Sequence, residues 1–209
     1  RDVVRHMTRT LGIRIRTGVG IQDIADTGTA VTGTVGDAAV SADRMLVAVG
    51  RAPVTDGLNL EMAGLATTAT GHIAVDDQAQ TRVAGIYAIG DVTPGVQLAH
   101  RATADGLVAA ENAVCGRTTR TERLVPACLF TTPEVGTVGL TEQAAKAASR
   151  NVRVGKFPFA ALGKAMAAGH TDGFVKWIAD ADTDRLLGAH VVGHGATDLI
   201  AEAAVAIRG

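Results

Sequence analysis

The stretch from Thr81 to His100, TRVAGIYAIGDVTPGVQLAH, constrains the fold of this chain more than any other. Its apolar run Ile86–Ile89 is too short for a helix and is bounded by glycines, which predicts a buried parallel strand. In open α/β sheets, ligands bind outside the carboxyl ends of the strands, where Gly90 and Asp91 fall. We therefore predict that Asp91 accepts hydrogen bonds from ligand hydroxyls and that Gly90 lets the backbone approach the ligand.

A helix is predicted immediately after this strand, over residues 97–112, because apolar residues recur there at helical spacing. The free N–H groups and the positive dipole end of such a helix would point back to the same ligand. The alternative is an ordinary strand and turn, in which Asp91 only caps the segment that follows.

The first half of the chain also carries regular patterns. Residues 1–11 predict an amphipathic helix that ends at Gly12. Residues 13–16 alternate, Gly18 and Gly20 follow, and residues 28–40 show short Thr/Val segments between Gly-Asp turns. Together these patterns are typical of a small antiparallel meander. The run Met45–Val49 is apolar throughout and predicts a strand buried on both faces, with Gly50 at its carboxyl end.

The remaining segments predict a scaffold region, a linker and then a region of antiparallel strands and helices. Residues 57–80 read as scaffold, and the polar, glycine-containing segment Cys115–Thr119 predicts a linker. Beyond Val125 the patterns predict two strands within residues 129–139, a helix with Thr141 as N-cap, an edge strand at Pro158, strands over 173–179 and 186–192, and a helix over 197–207.

Composition excludes several classes of protein. The chain has 209 residues, of which 47% are hydrophobic, so it can form one large or two modest cores. The formal net charge of −1 gives no electrostatic footprint for nucleic acid, and no apolar run approaches the roughly 18 residues that span a bilayer. A cytoplasmic protein is expected. The chain opens in a helical pattern without methionine and stops after another helix, so both ends are expected to be cut.

No catalytic cluster is visible in the sequence. Cys115 and Cys128 match neither a redox CxxC spacing nor a zinc arrangement. None of the six histidines stands near a nucleophile at a suggestive spacing. The aspartates at 76–77 and 180–184 lack the glycine and terminal glutamate of a calcium loop. We expect neither catalytic residues nor a metal site within this chain.

The stretch 81–100 resembles the second flavin-binding motif of the pyridine nucleotide-disulfide oxidoreductases, and LAH followed by a helix resembles their dihydrolipoamide dehydrogenase branch. The resemblance implies that Asp91, next to Gly90, holds the ribityl chain of FAD. It also implies that main-chain groups of four residues meet the flavin ring: Gln97, Leu98, Ala99 and His100.

The segment VAVGRAP, residues 47–53, resembles the strand that returns the chain from the NAD domain to the FAD domain in this family. By resemblance, Gly50 lies on the nicotinamide side of NAD and Ile21 lies near the adenine end. Gly50 as a simple turn glycine is the alternative. Val54 departs from the family's usual asparagine. The GxGxxG motif that would bind the NAD pyrophosphate is expected upstream of Arg1, so NADP is not excluded.

The C-terminal part is similar to the dimerisation domain of the same family, where TTPEVGTVGLTE, FPF, GFVK and LLGAHVVG occur in this order. The fold expected is α/β and α+β. It comprises the end of an NAD-binding Rossmann-like domain (1–49), the returning segment of the FAD-binding domain (50–118) and an antiparallel-sheet dimerisation domain (119–209), truncated at its end.

The resemblance implies a homodimeric FAD- and NAD-dependent disulfide oxidoreductase that passes electrons from dihydrolipoyl groups, carried by a lipoyl-bearing protein, to a disulfide, FAD and NAD. Alternatives are a mercuric, glutathione or related reductase acting on another disulfide, and a non-catalytic flavin-binding or dimerisation module. The redox cysteine pair and the C-terminal acid-base histidine of the family have no counterparts here. This chain alone is therefore expected to be inactive.

Overall fold

The structure is a computed structural model that describes residues 2–116, 118–121 and 124–209. Residues 3–51 form one compact unit and residues 52–209 another. Arg1 of the predicted first helix and Arg117 of the predicted linker lie outside the described residues.

The first unit contains a helix and a three-stranded antiparallel sheet. Helix α1 spans Asp2–Arg9. The strands are β1 (Ile21–Asp26), β2 (Val31–Val35) and β3 (Ala38–Ala42), with β2 in the centre. Both pairings are antiparallel, and β2 and β3 are joined by a tight turn, which confirms the predicted meander. The alternating residues 13–16 form no strand.

The prediction of a buried strand at Met45–Val49 is wrong in this chain. These residues have no strand geometry, and Leu46 and Val49 are 90% and 93% exposed. A strand exists only when a neighbour pairs with its N–H and C=O groups. Among the described residues, none pairs with this segment.

The first part of the second unit is organised around one long helix. Two short features precede the stretch 81–100: a 3-10 helix at Leu60–Ala63 and an antiparallel bridge between Thr67 and Ile73. Helix α2 spans Ala99–Cys115 and ends at Gly116, whose φ of 61° is the left-handed conformation that favours glycine. The predicted helix over 97–112 is thus confirmed, with its ends displaced by two or three residues.

The predicted parallel strand at Ile86–Ile89 is also wrong in this chain. Within the described ranges, its ladder contact is a single antiparallel bridge between Gln80 and Tyr87. Ile89 is 39% exposed, so the run is not buried on both faces. As at residues 45–49, the sequence has the apolar character of a central strand, but no parallel neighbour is present in the described chain to complete a ladder.

The last part of the second unit is a five-stranded antiparallel sheet in the order β4-β5-β8-β7-β6. The strands are β4 (Ala127–Leu129), β5 (Val135–Gly139), β6 (Val152–Pro158), β7 (Phe174–Asp180) and β8 (Leu186–Val192). The helices are α3 (Glu142–Ala147), α4 (Gly163–Ala167) and α5 (Ala196–Arg208). The edge position of β6 agrees with Pro158, which cannot donate to a ladder.

Helix α5 forms the core of this part by packing on β5 and β8. Gly136 makes the close approach possible, because a Cβ there would clash with the carbonyl oxygen of Ala196 and lie 2.8 Å from Cβ of Ile200. Ile200 is 2% exposed. The buried core residues are Val138, Phe159, Ala189, Val191, Ala196, Ile200 and Ala203.

Two side chains fix the ends of helices in this part. The hydroxyl of Thr141 accepts a hydrogen bond from the N–H of Ala144 at 3.0 Å, so Thr141 is the N-cap of α3 as predicted. The carboxylate of Glu134 accepts bonds from the N–H and the hydroxyl of Thr197, in the first turn of α5. Across the described ranges, no helix has the length and apolar character needed to cross a membrane.

Candidate functional site

Asp91 lies in a single 3-10 turn, Gly90–Val92, that leads toward α2. Gly90 is buried with a φ of 71°, and a Cβ at this position would lie 3.2 Å from the Cβ of Ala102 in α2. A glycine is therefore required for both backbone conformation and close packing. Asp91 itself is exposed, and among the described residues its hydrogen bond is to its backbone carbonyl and not to its carboxylate.

The N-terminus of α2 is open. Its N-cap residue Leu98 has extended backbone angles (φ −136°, ψ 132°) and provides no side-chain cap. The first N–H of this region that is bonded to backbone belongs to Ala102, which donates to the carbonyl of Leu98 at 3.1 Å. In the described part of the chain, no acceptor meets the N–H groups of Ala99 and His100. These donors are available to a ligand.

The six residues predicted to meet flavin lie together in one region. Gly90 packs on α2, Asp91 follows it, and the side-chain amide of Gln97 donates a long hydrogen bond of 3.5 Å to the carbonyl of Asp91. Leu98, Ala99 and His100 form the beginning of α2. The imidazole of His100 contacts the carbonyl of Pro126 at 2.7 Å, so its side chain is directed to the start of the sheet part.

Sequence reasoning missed a buried ion pair beside this region. The guanidinium of Arg101 lies 3.1 Å from the carboxylate of Asp105, which is 3% exposed, and also bonds to Thr93 and Val96. The i,i+4 spacing of Arg101 and Asp105 was the available signal. A cleft of about 660 Å³ borders the pair, but none of the six predicted flavin residues lines it.

The two residues predicted to meet NAD belong to the first unit. Ile21 begins β1, is 38% exposed, and lies against Gly33, where an added Cβ would be 2.8 Å from its Cδ1. Gly50 has a φ of 133° and open space where a Cβ would be. The described contacts do not bring Ile21 and Gly50 together.

The cysteines and histidines form no catalytic constellation in the described ranges. Cys115 is exposed at the end of α2, and Cys128 is half-buried on β4 with its Sγ 3.9 Å from the carbonyl of Thr197. Burial raises the pKa of the Cys128 thiol, and the nearby Glu134 carboxylate adds to the effect, so Cys128 is a poor nucleophile. The rings of His170 and His194 stack at 4.2 Å, and no group of three metal-ligating side chains occurs among the residues described.

Two glutamates of the sheet part have lowered pKa values for structural reasons. The pKa of Glu134 is lowered by its hydrogen bonds from the Thr197 hydroxyl and N–H. The pKa of Glu142 is lowered to about 2 by hydrogen bonds from Lys146 and Lys176, one to each carboxylate oxygen. Both groups hold elements of the sheet part together, and neither lies near Asp91 in sequence or by any described contact.

Comparison with known families identifies this fold. Residues 1–106 match the family model described as pyridine nucleotide-disulphide oxidoreductase. Residues 125–209 match the dimerisation domain of the same family. The chain belongs to the pyridine nucleotide-disulphide oxidoreductase family.

Individual relatives narrow the comparison. The dihydrolipoyl dehydrogenase of Cupriavidus necator is 42% identical over 213 aligned residues, which cover 100% of this chain and 45% of the relative. Among solved structures, LpdA from Mycobacterium tuberculosis superimposes with a TM-score of 0.90 at 30% identity, covering 100% of this chain and 46% of that protein. The HOCl-induced flavoprotein disulfide reductase RclA from Escherichia coli gives a TM-score of 0.87 at 29% identity, covering 99% and 48%. The chain thus spans about half the length of these relatives.

The local chemistry fits FAD better than it fits NAD. An exposed carboxylate at Asp91 suits the hydroxyls of a ribityl chain, and the uncapped N–H groups of Ala99 and His100 suit the electronegative atoms of a flavin ring. For NAD the predicted contacts are Ile21 and Gly50, and this sequence contains no GxGxxG loop for a pyrophosphate.

Proposed function

We propose that this chain is part of an FAD- and NAD-dependent disulfide oxidoreductase of the dihydrolipoyl dehydrogenase type. The observation that carries the proposal is the 42% identity to a dihydrolipoyl dehydrogenase along the whole chain. In the complete enzyme, electrons pass from a dihydrolipoyl group to a protein disulfide, then to FAD and then to NAD. Family membership supports the cofactor pair, and the relative's name supports the substrate.

Within that enzyme, residues 1–49 would form the end of the NAD-binding domain, residues 50–118 part of the FAD-binding domain, and residues 119–209 the dimerisation domain. The gap between the two family models, from residue 107 to residue 124, supports the second boundary. The separation of residues 3–51 from residues 52–209 into two compact units supports the first. The apolar runs 45–49 and 86–89 would complete their ladders with strands from the rest of the enzyme.

The residues of this chain would bind and orient the cofactor. FAD, when bound, supplies the two-electron redox chemistry. Asp91 accepts hydrogen bonds from its polyol hydroxyls, while the first N–H groups of α2 donate to the ring. The positive end of the α2 dipole stabilises negative charge at this position. Gly50 and Ile21 contact the nicotinamide and adenine ends of NAD.

The partners are a second copy of the chain and a lipoyl-bearing protein, in the cytoplasm. The match of residues 125–209 to a dimerisation domain supports self-association. Neither Gly50 nor Ile21 would distinguish NAD from NADP. In dinucleotide-binding folds an acidic residue that bonds the ribose 2′-hydroxyl makes this distinction.

A second candidate is another flavin-dependent disulfide reductase. The likeness to RclA, with a TM-score of 0.87, favours this alternative because the same architecture occurs in an HOCl-induced flavoprotein disulfide reductase. A third candidate, which is not an enzyme, is a flavin-binding or dimerisation module.

A substrate panel on the complete protein separates these candidates. We expect NAD⁺ reduction with dihydrolipoamide to exceed disulfide reduction with glutathione disulfide or mercuric reduction, each tested with NADH and NADPH. If the protein binds flavin but reduces glutathione disulfide or mercuric ion faster than it oxidises dihydrolipoamide, the proposed substrate is wrong. Protein without flavin and without turnover would leave only the non-catalytic module.

A further inference from the structure

The side chain of Arg101 connects helix α2 to the loop that separates Asp91 from the helix. Its Nη1 donates to the carbonyl of Val96 at 3.0 Å, and its Nη2 donates to the hydroxyl of Thr93 at 3.0 Å. Its Nε lies 3.1 Å from a carboxylate oxygen of Asp105. The planar guanidinium thus bonds the loop on one side and a buried carboxylate on the other.

Thr93 extends this connection to the residue that precedes Asp91. Its side chain is 1% exposed, and its hydroxyl donates to the carbonyl of Gly90 at 2.7 Å. The Thr93 N–H donates to the same carbonyl at 2.9 Å. A continuous path therefore runs from Asp105 to Gly90: an ion pair joins Asp105 to Arg101, and hydrogen bonds join Arg101 to Thr93 and Thr93 to Gly90.

The loop passes close to the guanidinium at Gly95, where a Cβ would displace the Arg101 side chain. A Cβ on Gly95 would lie 2.8 Å from the Arg101 Nη1, and the φ of 119° at Gly95 is unfavourable for other residues. The conformation of residues 93–96 is thus fitted to Arg101.

An ion pair of this kind could serve only to stabilise the helix. An exposed i,i+4 pair contributes little, but Asp105 is buried and its charge requires a partner. The pairing with Asp105 uses only Nε, however, and does not require the bonds from the two other guanidinium nitrogens to the loop. A role in helix stability alone therefore does not account for the hydrogen bonds from Arg101 to Val96 and Thr93.

We propose that Arg101 is a positioning residue for the flavin site. Anchored on Asp105, it holds the loop 93–96 so that Asp91 and the open N-terminus of α2 keep a fixed relation and act on the same ligand. The inference rests on the proposed function, because it concerns the same flavin-binding region.

Two variants of the complete flavoenzyme test this role. Arg101→Lys keeps a cation for Asp105 but cannot reproduce the planar fork that bonds Val96 and Thr93. Thr93→Val keeps the shape of the side chain and removes the hydroxyl that joins Arg101 to Gly90. The matched control is Arg153→Lys, at an exposed guanidinium that bonds Asp184 and the carbonyl of Ala181.

The readouts are the FAD dissociation constant of the apoprotein, the visible circular dichroism of the bound flavin, and the Tm of the apoprotein. Each test variant is expected to raise the FAD dissociation constant by about two- to tenfold, the effect of one or two lost hydrogen bonds, and to change the flavin dichroism. Arg153→Lys is expected to change neither.

An unchanged dissociation constant and unchanged dichroism in both test variants would overturn the inference, whatever the Tm. If the Tm and the FAD affinity fall together, the dichroism decides, since unchanged dichroism shows an unchanged flavin setting and assigns Arg101 to stability alone. If the parent protein binds no FAD, the inference and the proposed function are both overturned. If the parent and both test variants bind FAD with the same dissociation constant and dichroism, only the inference is refuted.

Discussion

At the scale of single residues, the most informative side chain is a carboxylate without a partner. Asp91 is exposed at the end of an otherwise apolar run, and the described chain provides no hydrogen bond to its carboxylate. Its neighbour Gly90, by contrast, is held by burial, by backbone conformation and by Thr93. A rigid backbone that presents a free acceptor is the arrangement expected of a ligand-binding residue.

The first prediction concerns this acceptor. In the complete protein, Asp91→Ala is expected to weaken FAD binding by at least about tenfold, because hydrogen bonds to charged groups are stronger than neutral ones. Titration of the apoprotein with FAD, followed by quenching of flavin fluorescence, measures the effect. Asp56→Ala, at another exposed aspartate of the same unit, is the control, and an equal affinity in parent and Asp91 variant would remove Asp91 from the site.

A second prediction at this scale concerns pH. Because the folded pKa of Glu142 is lowered from 4.5 to about 2, its ion pairs stabilise the fold fully above pH 4.5, and this contribution is lost as the pH falls toward 2. Glu142→Gln is therefore expected to unfold at lower urea concentration than the parent at pH 7, with the difference shrinking between pH 4.5 and 2. The control is Glu202→Gln on the exposed face of α5. A difference that is independent of pH would contradict the assignment.

At the scale of elements, two helices use their N-termini differently. The start of α5 is occupied by Glu134, whose carboxylate accepts the N–H and hydroxyl of Thr197. The start of α2 is left open, with Leu98 in an extended conformation and no side-chain cap. The contrast within one chain supports a structural function for the first terminus and a ligand-binding function for the second.

Ala99→Pro tests the open terminus. Ala99 is the first residue of α2, a position where proline is favoured, and the extended backbone of Leu98 suits the residue before a proline. The substitution therefore removes one N–H donor with little change in folding. We expect the two-electron flavin potential of the complete enzyme to become more negative by about 6 to 20 mV, since one donor to negative charge is lost. Ala99→Gly keeps the N–H, and an identical potential in the parent and both variants would show that this donor does not contribute.

The packing of α5 on the sheet gives the next prediction. Gly136→Ala places a Cβ against the carbonyl of Ala196 and the side chain of Ile200, so α5 must move away from β5. A loss of about 1 to 3 kcal/mol in the free energy of unfolding is expected for such overpacking. Gly155→Ala on the edge strand β6 is the matched control, because its Cβ meets open space. Equal stability of the two variants in urea unfolding would contradict the described packing.

At the scale of the whole molecule, the sequence predicted the parts that are complete within the chain. Local patterns suffice for elements whose neighbours lie at most a few tens of residues away. These elements are the meander, the edge strand at Pro158, the Thr141 cap and the strand Leu186–Val192. The segments 45–49 and 86–89 were predicted as buried strands from their apolar composition alone. That composition fits an environment that the described chain does not supply. Segment 45–49 lies exposed instead, and segment 86–89 makes a single antiparallel bridge.

The candidate site shows the same limit. The motif at 81–100 indicated Asp91 and the start of α2, because glycine, aspartate and helix onset stand in sequence order. The bonds from Arg101 to Thr93 and Val96 could not be predicted, since they depend on how the loop folds back onto the helix. Even the i,i+4 spacing of Arg101 and Asp105, which the sequence analysis did not use, would have indicated only an ion pair.

The most direct test of the central claim, that residues 90–100 hold a flavin, is an experimental structure of the complete protein with FAD. The predicted result places the carboxylate of Asp91 within about 2.5 to 3.0 Å of a ribityl hydroxyl and the first N–H groups of α2 toward the flavin ring. A flavin bound elsewhere in the protein, with Asp91 and the start of α2 facing only solvent, would contradict the account.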